Sequence, residues 1–376
     1  MHNMNFKELP TPAALLDEAR MHANITRMQE RISALGVRLR PHVKTAKCLP
    51  VAQQQLAAGA VGITVSTLKE AEVFFDAGIN DILYAVCIVP SKLAQACALR
   101  ERGCALTVVV DSMAAAAAIA AQDHAFDVMI EIDSDGHRAG VKPDSALLLE
   151  LGRALHEGGA ALKGVMTHAG ASYDCRTPDE LQAMAEQERS LCVLAAQRLR
   201  GAGLPCPEVS VGSTPTALSA LHLAGVTEVR AGVYVFNDLV MLGVGVCSVE
   251  ELALSVLTTV IGHQRDKGWV LVDAGWMAMS RDRGTQEHAQ DYGFGAICDE
   301  RGRFIEGLVM SAANQEHGIL TLQGGQTDPE LPARFPVGTR LRVLPNHACA
   351  TAAQFPQYHV LAADGSLKTW DRFYGW

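Results

Sequence analysis

The stretch Arg40-Pro41-His42-Val43-Lys44 places a lysine directly after an apolar, β-rich run. A lysine that is desolvated there drops below its usual pKa of about 10.4, and a neutral amine can attack an aldehyde. A solvated lysine is the plain alternative. A second group, Val211-Gly212-Ser213-Thr214-Pro215-Thr216, is followed one strand later by Ala231-Gly232-Val233-Tyr234. Such turns offer backbone N–H groups and hydroxyls, and as a pair they suit a phosphate; either one alone is ordinary loop chemistry. A third group is Pro345-Asn346-His347-Ala348-Cys349. In an extended segment His347 and Cys349 point to one side and can grip one divalent metal. An N/S pair favours zinc and leaves positions for water and substrate. A buried thiol beside an unrelated histidine would read the same way.

Three further stretches carry charge or aromatic rings. The segment Asp133-Ser134-Asp135-Gly136-His137-Arg138-Ala139-Gly140 lacks the spaced ligands and final Glu of a calcium loop, which leaves Arg138 as a cation for a site. Arg230 is another such cation, or else an ion-pair partner of Glu228. His168 can stack on a planar cofactor, with Tyr173 close behind; each can equally be a hydrogen-bonded core side chain. There is no P-loop and no well-placed G-x-G-x-x-G.

These residues need elements to hold them. Eight β-like runs alternate with helical segments: 37–44, 62–66, 81–87, 106–111, 126–133, 162–168, 208–213 and 228–234. Continuously apolar runs such as Leu106–Val110 suit a parallel sheet covered on both faces. Eight alternations point to an α/β fold of the (β/α)8 TIM-like barrel type rather than an open doubly wound sheet. Barrel chemistry gathers at the C-terminal ends of the strands. Those ends carry His42, Lys44, Ser66, Asp111, Asp133, His168, Gly212–Thr214 and Arg230–Tyr234. After Tyr234 the helical period fades, and β-like runs at 252–263, 269–273, 304–310, 316–322, 340–344 and 357–362 predict a β-rich second domain. The segment Phe6–Asp17 can pair with it. The expected division is a barrel over 18–245 and a β-rich domain from 1–17 plus 246–376.

Composition narrows the function classes. The 376 residues are 49% hydrophobic and 19% charged, which supports a sizeable core and excludes a disordered or collagen-like chain. A net charge of −9, with no run of Lys/Arg, argues against nucleic acid and anionic membrane as partners. Ten irregularly spaced cysteines, none in a C-x-x-C pair, read as thiols of a reducing cytosol rather than a disulfide scaffold. The first nine residues have no apolar core, and the longest apolar stretch, 113–121, is too short to span a bilayer, so a cytoplasmic protein is expected.

Taken together, the strand-end lysine, the Arg138 loop, the Thr167-His168 segment, the Gly/Ser/Thr turn and the Arg230-Ala231-Gly232 turn resemble the alanine-racemase-like, fold type III pyridoxal-phosphate enzymes. R-P-H-V-K-T with P-N-H-A-C narrows the resemblance to the branch of 3-hydroxyaspartate and D-serine dehydratases, related to D-threonine aldolase. The stretches VGITVSTLKEAE, VSVGSTPTAL, EVRAGVYVF, VDAGWMAMSRDRGT, ANQEHGIL and LPNHACAT extend it over essentially the whole chain. The resemblance implies pyridoxal 5'-phosphate on Lys44, its phosphate held by Thr214 with Ser213, Gly232, Val233 and Ser66. It implies Arg230 against the pyridine nitrogen, Arg138 near the phenolic oxygen, and His168, Tyr173 and Tyr234 around the ring. It also implies a divalent metal (zinc, or magnesium, manganese or cobalt in its place) on His347 and Cys349, and a homodimer.

The activity implied is dehydration of small D-3-hydroxy amino acids: D-threo-3-hydroxyaspartate to oxaloacetate and ammonia, and D-serine to pyruvate and ammonia. Lys44 would take the Cα proton while the metal eases departure of hydroxide. The distal carboxylate would fall to the metal, Arg281 or Arg283. Arg40, Lys44, Lys47, Arg138 and Arg230 are expected near the strand ends, as cations for a phosphate and a dianionic substrate. A metal-activated aldolase is the nearest alternative. The aldolases compared carry Asp in place of Cys349 and Gln in place of Arg230, which favours the dehydratase. A non-catalytic pyridoxal-phosphate carrier would resemble a lone barrel. A metal-dependent barrel hydrolase without an organic cofactor is the remaining alternative.

Overall fold

The computed structural model describes residues 6–122, 125–325 and 327–376, and the chain divides into two compact units. One comprises Thr26–Gly232 with Gly375–Trp376; the other comprises the residues up to Ile25 with Val233–Tyr374. The first boundary falls inside the helix Glu18–Ala34 rather than at its start. Residues 1–5, part of the expected β-rich domain, lie outside the described residues.

The first unit is a parallel eight-stranded barrel. In chain order its strands are Arg38–Leu39, Ile63–Val65, Asp81–Cys87, Ala105–Val110, Asp127–Glu131, Ala161–Met166, Glu208–Val211 and Glu228–Val229. From the second strand onward each pairs with the next, and the first pairs with the eighth, Arg38 opposite Glu228. The ring closes between the first two: Val61 N donates to Leu39 O (3.0 Å), Thr64 N to Pro41 O (2.8 Å) and Val43 N to Thr64 O (2.9 Å). The first strand is shorter than the expected 37–44. Pro41 has no N–H to give the ladder, and pairing resumes only at a His42–Thr64 bridge. Leu83, Val109, Met129 and Met166 fill part of the interior. Several strand-to-helix turns end on a hydroxyl that caps the next helix: Thr67, Ser112, Thr177 and Ser213 each accept from a backbone N–H three residues on. Caps of this kind keep the loops short and fix polar side chains at the strand ends.

The second unit is built on a closed antiparallel ring. Going round it, Leu254–Gln264 pairs with Trp269–Val272, then come Gly318–Leu322, Phe304–Ala313, Ala296–Asp299 and Arg340–Leu344, which returns to Leu254–Gln264. Ala13–Asp17 pairs antiparallel with Leu254–Gln264 and parallel with Gln357–Leu361, which pairs in turn with Leu367–Asp371. The expected pairing of 6–17 therefore holds for Ala13–Asp17, whereas Phe6–Glu8 is a 3-10 turn. The strands Ala296–Asp299 and Leu367–Asp371 are absent from the sequence reading. The first is short, and the second is polar and largely exposed. No helix among the described residues is long and apolar enough to cross a membrane.

Candidate active site and metal-binding pair

In the barrel unit, Lys44 lies two residues beyond the bridge that closes the ring, and it is half-buried. It has no hydrogen-bond or ion-pair partner among the described residues. His42 lies beside it, with a buried Nδ1 that no described group satisfies. Burial, then the positive charges of Lys44 and Arg230, hold the His42 imidazole well below its usual range. His168 is pushed down to about 3, chiefly by burial and then by Lys44 and Arg138. Its Nδ1 faces the Gly212 carbonyl at 3.3 Å. Both imidazoles are therefore neutral at pH 7. Lys44, Arg138 and Arg230 all act electrostatically on both His42 and His168, so the barrel unit brings these five residues near one another. Tyr173 joins them with its ring centroid 6.2 Å from that of His168. Arg138 is half-exposed, 3.9 Å from Glu131, which also accepts from Cys87 Sγ at 3.0 Å.

The two turns approach closely. At Gly212 φ is +123°, and a Cβ there would lie 3.0 Å from Val229 Cγ1 and 3.1 Å from Arg230 N. A Cβ on Gly232 would come within 2.9 Å of His42 O. Ser213 and Thr214 are buried. Ser213 Oγ accepts from Thr216 N (3.2 Å) and meets Ser172 Oγ at 2.8 Å, so its hydroxyl caps the helix Thr214–Ser219. Behind both loops stands the buried Glu188, on the helix Pro178–Gly201. It accepts from Ala169 N (2.8 Å), Gly212 N (3.2 Å) and Thr216 Oγ1 (2.7 Å). Burial raises its pKa against the pull of those three donors. The sequence reading missed Glu188. Its signal was its place in the buried stripe Leu181, Ala185, Glu188, Cys192, Ala195, Leu199, a helical face that should have been apolar.

Arg230 is buried and donates to Ser210 Oγ (2.7 Å) and Thr167 O (2.6 Å). Ser210 Oγ donates to Glu228 Oε1 (2.7 Å), and Glu228 Oε2 accepts from Arg40 Nε (2.6 Å). Arg40 also forks onto Asp81 at 2.7 and 2.9 Å. Glu228 thus holds Arg230 through a serine. Arg40 does not serve the strand ends as expected: Asp81 and Glu228 are the first residues of their strands, and they neutralise it at the opposite end. Lys47 is likewise committed, to Glu70 at 3.0 Å. Glu70 Oε1 also accepts from Ser66 Oγ at 2.8 Å. Val233 and Tyr234 belong to the second unit, buried in the 3-10 turn Val233–Val235.

In that second unit, His347 and Cys349 meet, though not through an extended segment. His347 is extended (φ −131°, ψ 105°) and precedes the short helix Ala348–Ala352, whose first turn holds Cys349. The pair is formed by a helix start rather than by strand alternation. His347 Nδ1 lies 2.8 Å from Asp282 Oδ2, a bond that pulls Asp282 below the usual carboxylate range. Burial opposes a charge on His347, but Cys349, Asp282 and Asp238 outweigh it and raise the imidazole to about 11. Surroundings that attract a proton this strongly also attract a metal cation, which would displace the proton. With Nδ1 fixed by Asp282, Nε2 is the nitrogen left for a ligand bond.

The pair is firmly mounted. Asp238 Oδ1 accepts from Met241 N (3.0 Å) and Oδ2 from Ala348 N (2.9 Å), tying the starts of two helices together. Asn346 Nδ2 donates to Gly293 O (2.7 Å) and Asp282 O (3.0 Å). Thr351 Oγ1 donates to Met279 O at 2.6 Å. Among the described residues no cluster of three or more His, Cys, Asp or Glu is placed to hold a metal, so the donor set is the N/S pair with a carboxylate behind the imidazole. All ten cysteines are described, and none is in a disulfide.

Comparison with known proteins finds relatives over the whole chain. A family model described as alanine racemase, N-terminal domain, matches residues 16–239, and one described as putative serine dehydratase domain matches residues 253–361. The class is thus an alanine-racemase-type barrel joined to a dehydratase-type β domain. The chain is 65% identical over 373 residues to the D-threo-3-hydroxyaspartate dehydratase of Delftia sp. (strain HT23), covering 98% of each chain. It is 30% identical over 393 residues to the D-serine dehydratase of Dictyostelium discoideum, covering 97% of each. A solved structure of a cysteine-to-alanine mutant of D-threo-3-hydroxyaspartate dehydratase, in the metal-free form, superimposes with a TM-score of 0.98 at 63% identity, over 99% of this chain and 100% of that one. The protein belongs to this family of D-threo-3-hydroxyaspartate and D-serine dehydratases.

Proposed function

We propose that the protein is a pyridoxal-phosphate- and divalent-metal-dependent dehydratase that converts D-threo-3-hydroxyaspartate to oxaloacetate and ammonia, and D-serine to pyruvate and ammonia. The observation that carries this reading is the unpaired Lys44 amine beside two neutral histidines, in a chain that also mounts a His/Cys pair on a carboxylate.

The residues fit both groups. The close approaches at Gly212 and Gly232 leave backbone where a phosphate needs it, and the buried Nδ1 of His42 has no described partner. Lys44 would hold the cofactor aldehyde, and Ser213, Thr214, Gly232 and Val233 its phosphate. Arg230 would face the pyridine nitrogen and Arg138 the phenolic oxygen. His168, Tyr173 and Tyr234 would surround the ring. Ser66 is the weakest member of the set, because its hydroxyl already serves Glu70. When bound, pyridoxal phosphate supplies an electron sink for charge developing at Cα. His347 and Cys349 would hold a divalent ion, whose Lewis acidity stabilises hydroxide as it leaves Cβ.

The side chains do the rest. Lys44 Nζ takes the Cα proton. Arg230, as a guanidinium, would offer the pyridine nitrogen a hydrogen bond rather than a proton. The neutral His42 and His168 add no positive charge that would compete for the phosphate or the substrate carboxylates. The family likeness supports a homodimer in a reducing cytosol as part of the same proposal.

Borohydride reduction of the purified protein followed by peptide mass mapping should place the cofactor on Lys44. A label on another lysine, or none, contradicts the assignment.

A further inference from the structure

A substrate with a carboxylate on the same carbon as its leaving hydroxyl needs a cation close to whatever holds that hydroxyl. This follows from the functional reading above, and it directs attention to the charges next to the His347–Cys349 pair. Asp282, the carboxylate behind His347, is flanked in sequence by two arginines, Arg281 and Arg283. They are not equivalent.

Arg283 is occupied. Its guanidinium donates to Asp291 Oδ2 at 2.8 Å and lies over the Phe294 ring, 5.1 Å from the centroid. Arg281 is exposed and has no carboxylate or hydrogen-bond partner among the described residues. Its guanidinium rests on the Trp276 indole, 5.2 Å from the centroid. Stacking of this kind orients the planar fork while leaving its N–H edge available to a carboxylate.

The turn that carries Arg281 is also fixed relative to the metal pair. Met279 O accepts from Thr351 Oγ1 at 2.6 Å, on the helix that holds Cys349. Asp282 holds His347, and its backbone oxygen accepts from Asn346 Nδ2 at 3.0 Å. Between these anchors Ser280 adopts φ +77°, ψ 171°, a conformation that non-glycine residues rarely take and that surrounding structure must impose. That turn sends two successive side chains to separate tasks: Arg281 onto the indole and Asp282 onto the imidazole.

We propose that Arg281 binds the distal carboxylate of the substrate and sets the preference for a 3-hydroxy diacid over D-serine. A charged, forked contact of this kind corresponds to about 10- to 100-fold in binding.

The test uses the holoenzyme, wild type and Arg281→Gln, with Arg281→Lys as a second variant that keeps the charge but loses the fork. Steady-state kinetics on D-threo-3-hydroxyaspartate and D-serine are read alongside calorimetric binding of malate, which carries a hydroxyl and a carboxylate on one carbon and no amine. For Arg281→Gln the account expects KM for hydroxyaspartate to rise about 10- to 100-fold with a smaller change in kcat, a loss for D-serine at least about tenfold smaller, and malate binding weakened in parallel. Arg281→Lys should fall between the two. Equal losses on both substrates, or malate binding unchanged, would overturn the assignment. A wild-type enzyme that dehydrates D-serine but not hydroxyaspartate would overturn it too. One that dehydrates neither would sink the functional reading itself.

Discussion

The chemistry at single residues rests on pairs. Lys44 could be singled out because the β-rich run before it is written locally, and His347 and Cys349 because they are two apart. Their supporting groups were not. Asp282 is 65 positions from His347, and Asp238 is 110 from the backbone N–H it caps. Only folding joins them. The same blindness hid the partners of Arg40 and Lys47: as bare cations they look like free site charges, but Glu228 and Asp81 neutralise Arg40 at the other end of the barrel, and Glu70 neutralises Lys47 beside Ser66 at a strand end. The Asp282–His347 bond makes a sharp prediction. Asp282→Asn removes the charge that fixes the imidazole and should weaken zinc binding about 10- to 100-fold in chelator competition, with the Lys44-bound cofactor retained. Unchanged zinc affinity would show that the carboxylate plays no part in holding the metal ligand.

Elements decide how those residues are presented. The strand Asp81–Cys87 matched the sequence reading residue for residue, whereas Pro41 cut the first strand to Arg38–Leu39 and a helix start replaced the extended His347–Cys349 segment. Local apolar runs announce strands. Helix starts that depend on a distant cap such as Asp238 leave no local trace. The buried Glu188 shows how much one helix can do for two loops, since it holds the turns after the sixth and seventh barrel strands by three donors. Glu188→Gln keeps the shape and can leave its amide oxygen on the two backbone N–H groups, but it removes the charge and turns an N–H donor toward Thr216 Oγ1, which donates to Glu188 in the wild type. It should cost about 1–3 kcal/mol of stability and weaken pyridoxal-phosphate binding, read by denaturant melts and by cofactor titration. Stability and cofactor affinity both at wild-type values would show that the two loops need no such tie.

For the whole molecule, the alternation of eight strands with helices made the barrel readable, and the loss of helical period after Tyr234 marked the change to β structure. The closure of the second ring was not readable, because Ala296–Asp299, the strand between Phe304–Ala313 and Arg340–Leu344, is only four residues long. The net charge of −9 is no obstacle to anionic ligands, since the local field in the barrel unit is set by Lys44, Arg138 and Arg230. The central claim is that this chain breaks the Cβ–O bond of a D-3-hydroxy amino acid and leaves the Cα–Cβ bond intact. The most direct measurement is product analysis after incubating the metal-loaded holoenzyme with D-threo-3-hydroxyaspartate. Oxaloacetate and ammonia in equal amounts are the expected products. Glycine and glyoxylate in their place would mean that the carbon–carbon bond is cut, and would contradict it.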